Sequence, residues 1–338
     1  MSFIYIYERS AKIGVQSNTI VIESEREKLK RTIPIEGVES IIIFGNASLS
    51  SSCVRQLMER DINLTWLSSS GKFFGRLEST RKVNIERQRK QFALGDNNDF
   101  TLKLSKKIVL AKVKNQITIL RRYQRNRMDM EDTVKRNIDA MIKLLPVIKR
   151  VGTKEELMGN EGMAARYYFD GLSALVEPEF LFSGRSKQPP KDAFNSLLSF
   201  AYTLLLYDIY TAAVNRGLHP YAGFFHSDKR GHPALCSDLM EEWRAVLADS
   251  LALYVTSRGI IKKEHFQEPD HDGGIYLNGD ASKTYIGEYE KKVRTQSQYL
   301  AYADFPVSFR RAIEMQCQRL AKAIEEGDPE IYQPVVIR

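Results

Sequence analysis

The feature that most constrains this chain is a change of hydrophobic period near residue 83. Before it, β-branched and aromatic residues come in short runs separated by polar or glycine-containing turns. After it, apolar residues recur at threes and fours over long stretches. A strand period and a helix period do not belong to one element, so the break predicts two parts of different class. In the first part, residues 3–7, 19–23 and 40–44 read as strands. Residues 48–60 interrupt them with a helical pattern, Val54, Leu57 and Met58 falling at i, i+3 and i+4. A strand over 62–67, the turn Ser68-Ser69-Ser70-Gly71 and a strand over 72–77 follow.

In the second part helices are expected at 100–126, 132–151, 154–177, 192–215, 238–257 and 307–326. The first carries Leu104, Ile108, Ala111, Asn115, Ile119 and Tyr123 along one face. Residues 184–190 make a loop ending in Pro189-Pro190, and 267–274 an acidic, glycine-containing loop. The expected fold class is α+β: a small N-terminal antiparallel β domain over 1–82, then a larger all-α domain over 83–338.

A length of 338 residues lets each part bury its own core. The opening MSFIYIYERS has no basic segment followed by an apolar run, so no signal peptide is expected. No stretch approaches the roughly 18 apolar residues of a membrane span. The richest, 197–210, is broken by Ser199, Thr203 and Asp208 and fits a buried helix. Cys53, Cys236 and Cys317 show no CxxC spacing, which excludes a disulfide framework or thiolate zinc site and suits a reducing cytoplasm. The net charge of +8 leans towards a polyanionic partner.

Three segments of the helical part place acids and a histidine in unusual company. Glu161 sits between Asn160 and Gly162, which weaken helix and suggest a helix start; Ala165 and Tyr168 then share its face. An acid in a first turn also complements the helix dipole, with no further role. His219 and His226 lie in the segment 217–226; His226 ends the pair Phe224-Phe225 and could be a metal ligand or a satisfied core histidine. In the third segment Ser237 is a plausible N-cap, and Asp238, Glu241 and Glu242 fall at i, i+3 and i+4. Like charges clustered there call for a cation, a metal or a basic side chain such as Arg244. Carboxylates with one imidazole suit Mn²⁺ or Mg²⁺ better than structural zinc. No HExxH, GxxxxGK[ST] or strand-linked GxGxxG pattern is present.

At these segments the chain resembles the CRISPR-associated protein 1 family, the integrases of spacer acquisition. The resemblance rests on Glu161–Phe169 (EGMAARYYF), Asp192–Tyr202 (DAFNSLLSFAY), Gly217–His226 (GLHPYAGFFH) and Asp238–Arg244 (DLMEEWR), in that order. It implies metal ligands at Glu161, His226 and Glu241, with Asp238 as a second or alternate acid in the catalytic set. His219 stands where the family's box commonly has Asp and gains no role from the resemblance. The implied reaction is attack of a DNA 3′-hydroxyl on a repeat phosphodiester, inserting short foreign segments into a CRISPR array. The implied partners are duplex DNA, a second copy of the chain paired partly through the β domains, and a small ferredoxin-like CRISPR-associated protein. A prokaryotic cytoplasm follows, with no membrane.

Basic residues cluster between the two parts, at Arg76, Arg81, Lys82, Arg87, Arg89 and Lys90. They continue through Lys103, Lys106, Lys107, Lys112, Lys114, Arg121, Arg122, Arg125 and Arg127. As a group they are expected to track a phosphate backbone, although any single one is as readily a solvated helix face. Arg166 is expected nearest the scissile phosphate. Tyr168, Asn195 and Arg244, within the boxes, join Arg76 and Arg81 as expected DNA contacts, and Tyr123 or Tyr167 could stack on a splayed base. Two other readings are a DNA-binding scaffold without chemistry and a metallophosphoesterase of another substrate class.

Overall fold

A computed structural model of the chain describes residues 2–337, except 9, 126–130, 188, 270 and 299–302. It divides into two compact units, Met1–Val83 and Asn84–Arg338. In the first, β1 (Ser2–Ile6), β5 (Val38–Phe44), β7 (Asn63–Leu67) and β8 (Phe73–Leu77) form one sheet in the order β1–β5–β7–β8. A second sheet runs β4 (Leu29–Pro34), β3 (Thr19–Ser24), β2 (Ala11–Gln16), β6 (Ala47–Leu49). The expected antiparallel domain is corrected here, because both sheets are mixed. Strand β5 is parallel to β1 and to β7, and β2 is parallel to β6; β7–β8, β2–β3 and β3–β4 are antiparallel. For β5 and β7 the cause is the helix α1 (Ser51–Glu59) between them. A helical crossover returns the chain to run in the same direction, whereas a tight turn reverses it.

Isoleucines dominate this core: Ile4, Ile6, Ile13, Ile22, Ile41 and Ile43 pack with Leu57 of α1 and Leu64 of β7. Strand β5 has neighbours on both edges and is buried along nearly its whole length, matching its unbroken Ile41-Ile42-Ile43-Phe44 run. Strands β2 and β4 were not expected. They form with β3 a meander whose first turn is Ser17-Asn18, both at positive φ (43° and 60°), as a two-residue hairpin demands. Strand β4 is an edge carrying Lys30, Arg31 and Pro34, residues that discourage further pairing.

The second unit is helical: α2 (Ile85–Gly95), α3 (Asn98–Gln124), α4 (Glu131–Arg150), α5 (Lys154–Ser173), α6 (Ala193–Asn215), α7 (Ala234–Met240), α8 (Ser250–Ser257), α9 (Gly279–Arg294) and α10 (Phe309–Glu326). A two-residue strand pair, β9 (Gln296–Ser297) and β10 (Val307–Ser308), precedes α10. Helices α2 and α9 were not expected; both are polar on much of their surface. Asn126 and Arg127, at the expected end of α3, lie outside the described residues.

Helix α3 buries Leu104, Ile108, Ala111, Asn115 and Ile119, the expected face, but also Lys112, Val113, Gln116 and Ile117. It is the central helix of this unit, packed against α4, α5 and the segment Arg244–Asp249, so more than one stripe is covered. Helix α6 is long and apolar enough to cross a membrane, yet 72% of that apolar window is buried inside the protein, which accounts for its composition. The single helix expected over 238–257 is instead α7, a π-helical turn Arg244–Asp249, and α8. A π turn holds about one extra residue and shifts every following face, a feature that hydrophobic spacing does not reveal.

Candidate metal and nucleic-acid site

Helix α5 begins at a capping box, Thr153 and Glu156 each bonding the other's backbone. Glu161 therefore lies in the body of α5, not at its start as expected from its Asn160 and Gly162 neighbours. A Cβ on Gly162 would meet nothing within 4 Å, so this part of the helix borders open space. The Glu161 carboxylate binds the ammonium of Lys112, which projects from the middle of α3. The same Nζ lies 2.6 Å from Oε2 of Glu241, just beyond α7. Two acids from separate helices thus converge on one cation.

Glu241 is 2% exposed and also takes Arg244 Nη1 on Oε1 at 2.9 Å. Burial alone would raise its pKa, but Arg244, Lys112 and His226 outweigh burial and hold the carboxyl at about 2. Burial likewise opposes the charge on Lys112, and the flanking Glu241 and Glu161 more than offset it, leaving its pKa above the ordinary lysine value. The imidazole of His226 approaches the other oxygen of Glu241, Nε2 standing 3.7 Å from Oε1.

Asp238 organises that imidazole. Its Oδ2 accepts the backbone N–H groups of Phe224 (2.6 Å) and Phe225 (2.9 Å); its Oδ1 accepts the His226 N–H (2.8 Å) and pairs with Nδ1 (2.7 Å). A carboxylate at Nδ1 places the ring proton there and leaves Nε2 as a free donor atom turned to Glu241. Asp238 is wholly buried, and these four contacts all go to the 224–226 turn. The turn needs Gly223: a Cβ there would come within 2.8 Å of Ala234 Cβ and 3.0 Å of both the Ala234 carbonyl carbon and Asp238 Oδ2. Gly223→Ala is expected to destabilise the fold by ~1–3 kcal/mol and lower the melting temperature by a few degrees. An unchanged melting curve would show that the turn has room to spare.

The expected N-cap Ser237 is inside α7, which starts at Ala234; Ser237 Oγ bonds His232 Nε2 instead. Glu242 leaves the site altogether. Its carboxylate accepts Tyr332 OH (2.5 Å) and the Val335 N–H (2.7 Å), pinning the C-terminal segment, and burial raises its pKa to about 8. His219 has a structural place, its main chain bonded to Gln91 and its ring against Phe92 and Tyr221.

Beside the acids opens a cavity of about 570 Å³. Glu161, Ala165, Arg166 and Phe169 of α5 form one wall; Arg185 and Lys187 of the loop before α6, with Tyr202 and Arg244, form another. Arg185 and Arg244 each stand about 5 Å from the Tyr202 ring centroid (5.1 and 5.2 Å). Arg185 spends its Nη donors on Ser186 O, Asn195 Oδ1 and Ser199 Oγ, and its Nε has no partner. Among the described residues it makes no ion pair, and burial lowers its pKa. Lys187 is lowered too, by burial and then by Arg244 and Arg185. The cavity therefore carries positive charge that the protein's own acids do not neutralise.

Several expected DNA contacts are corrected. Tyr168 is fully buried, its hydroxyl 2.7 Å from Asp249 Oδ2, and has no ring face for a base. Asn195 is buried as well; it holds the 184–186 loop through Gly184 O, Ser186 N and Arg185 and so positions a cavity wall. Arg76 bonds Glu78 and Thr65, and the exposed Arg81 donates to Glu59 O. The basic run is partly spent internally: Arg87 pairs with Glu325, Lys103 with Asp99, Lys107 with Glu330 and Lys112 with the site acids. Two of those acids come from the C-terminal segment, distant in sequence. Arg166 and Arg244 both line the cavity.

The family model described as CRISPR associated protein Cas1 matches residues 4–291. The chain belongs to the Cas1 family. It is 31% identical over 326 residues to the CRISPR-associated endonuclease Cas1 of Mycobacterium tuberculosis, covering 96% of this chain and 95% of the relative. Its fold superposes on a Cas1 protein from Thermotoga maritima with a TM-score of 0.81 at 23% identity, over the whole of both chains. A TM-score of 0.83 at 24% identity relates it to a chain of a Cas6-RT-Cas1–Cas2 complex; 98% of this chain is covered but only 36% of that longer one. For this Cas1-family chain, the residues that sequence reasoning passed over are Arg185, Lys187, Tyr202 and Asp249. Tyr202 closes one of the boxes without having been given a role, the other three lie outside them, and a lone arginine before a Pro-Pro pair gives no sign of a cavity.

Proposed function

We propose that this chain is a metal-dependent DNA endonuclease and integrase that inserts short DNA segments into a CRISPR array by 3′-hydroxyl attack on repeat phosphodiesters. The observation that carries this reading is the convergence of Glu161 and Glu241 on one cation, with His226 Nε2 3.7 Å from the other oxygen of Glu241. Among the described residues no three acid, histidine or cysteine side chains stand ready-made as a metal cage. The donor chemistry fits nonetheless: two carboxylates and an imidazole, of which Glu241 Oε2 is buried and makes no directed hydrogen bond. Glu161, Glu241 and His226 would hold Mn²⁺ or Mg²⁺, and such an ion supplies Lewis-acid polarisation of a phosphoryl oxygen and a lowered pKa for a bound hydroxyl.

The remaining work falls to the chain itself. Arg166, Arg185, Lys187 and Arg244 would draw a phosphodiester into the cavity, and Phe169 gives an apolar surface for a sugar or base. Asp238 keeps the Nε2 lone pair of His226 available. We assign the catalytic role to the helical unit and self-pairing to the β unit. The proposed partners are duplex DNA and the small ferredoxin-like CRISPR-associated protein, in a prokaryotic cytoplasm.

The Lys112 ammonium also favours a second reading, a DNA-binding scaffold whose acids are already neutralised by internal cations. Strand transfer on a repeat-containing duplex decides between the two. The integrase requires Mn²⁺ or Mg²⁺ and loses its product in EDTA. Salt-dependent duplex binding indifferent to EDTA, with no product in either metal, would leave only the scaffold. A phosphoesterase of another class would act on a small phosphodiester undisturbed by added duplex.

A further inference from the structure

We infer that Lys112 is the resident counter-ion of the candidate metal site: its ammonium holds Glu161 and Glu241 together in the metal-free protein, and a divalent ion binds by displacing it. This rests on the reading of Glu161 and Glu241 as metal ligands.

Lysine is almost never buried unless paired, and Lys112 lies within the most buried stretch of α3, its side chain 7% exposed. Its ammonium bridges acids from two elements that would otherwise repel across a poorly solvated gap. The bridge thus fixes the separation of α5 from the end of α7 before any other cation arrives. Lysine is also suited to leave, being a compact charge on a flexible four-carbon stem, and Lys112 already borders the open cavity into which it can swing.

The manner of contact points the same way. Lys112 is held by one directed hydrogen bond, to Glu161, while its contact with Glu241 Oε2 is near but poorly directed and Arg244 takes Oε1. Elsewhere the chain builds a buried cation between two acids differently. Arg310 binds Asp208 and Glu290 through several directed hydrogen bonds, a geometry that no other cation reproduces. One arrangement is a lock, the other an exchangeable plug. In the quartet Lys112, Arg244, Glu161 and Glu241 the formal charges cancel, so a divalent ion added with Lys112 in place would meet a neutral cluster. With the ammonium swung away the same ion meets a net negative one.

The test uses the full chain stripped with EDTA, with Mn²⁺ binding followed by electron paramagnetic resonance and stability by thermal melting. In EDTA, Lys112→Met is expected to melt below wild type, because the two acids lose their shared cation. Its Mn²⁺ affinity is expected to rise at least about tenfold, and Mn²⁺ to raise its melting temperature more than that of wild type. Lys112→Gln, whose amide still donates to one carboxylate, should show the same tightening and serves if the methionine variant does not fold. Lys114→Met, an exposed lysine on the same helix, should change neither quantity. Unchanged or weaker Mn²⁺ binding in both Lys112 variants overturns the inference and leaves a purely structural ion pair. If wild type binds no Mn²⁺, or Glu161→Gln binds it equally well, the metal reading falls and this inference with it.

Discussion

Replacing Glu161 with alanine is expected to lower DNA strand transfer at least about a thousandfold while the protein stays folded. The argument joins position to role. Glu161 lies mid-helix with its side chain 21% exposed, so removing it leaves no cavity in a packed core. Lys112 keeps Glu241 as its partner, and Glu241 keeps Arg244, so no buried charge is left without a partner. A change in melting temperature of only a few degrees is therefore expected. His226→Ala should match it in activity: its ring is also partly exposed, and the Asp238 carboxylate retains three backbone donors. Gel-resolved strand-transfer products in Mn²⁺ and Mg²⁺, beside circular-dichroism melts, provide the measurement. Full activity in either folded variant would remove that residue from the ligand set.

The uneven legibility of this site has a physical pattern. Acids and the histidine could be found because they occur in short ordered boxes, and the Gly217–His226 turn and α7 are local structures whose residues are neighbours in sequence. Lys112 could not be singled out, because within α3 it reads as one more cation of a basic run. Only packing against α5 and the end of α7 turns it inward. Tyr168 and Asn195 failed for the converse reason. Both sit in the ordered boxes, Tyr168 in the one that holds Glu161, but box membership does not say how deeply a side chain is buried. The polar tips of both are satisfied inside, by Asp249 and by the 184–186 loop. The parallel strands were legible in principle, since a helix between two strands of one sheet implies a crossover. The π turn after Trp243 was not, for no composition marks it.

A second large effect is expected at a residue that touches no ligand. Asp238→Asn conserves volume but removes the charge that collects four hydrogen-bond contacts from the 224–226 turn. An amide has one acceptor oxygen, so its NH₂ must face N–H groups on one side or the other. The favourable compromise sets the oxygen on Phe224 and Phe225 and the NH₂ on His226. There it opposes the backbone N–H and donates to Nδ1, which drives the ring proton to Nε2 and blocks the atom turned towards Glu241. Unfolding free energy should fall by ~2–4 kcal/mol from the unsatisfied buried groups. Strand transfer should fall by roughly 10–100-fold or more, as for other carboxylates that orient a metal-binding histidine. A purely structural role would predict lost stability with normal activity in the molecules that remain folded, so rates are normalised to folded protein well below the melting temperature. The ¹⁵N shifts of the His226 ring supply the independent signature: Nδ1-protonated in wild type, Nε2-protonated in Asp238→Asn. An unchanged tautomer together with unchanged folded-state activity would show that Asp238 holds only the turn.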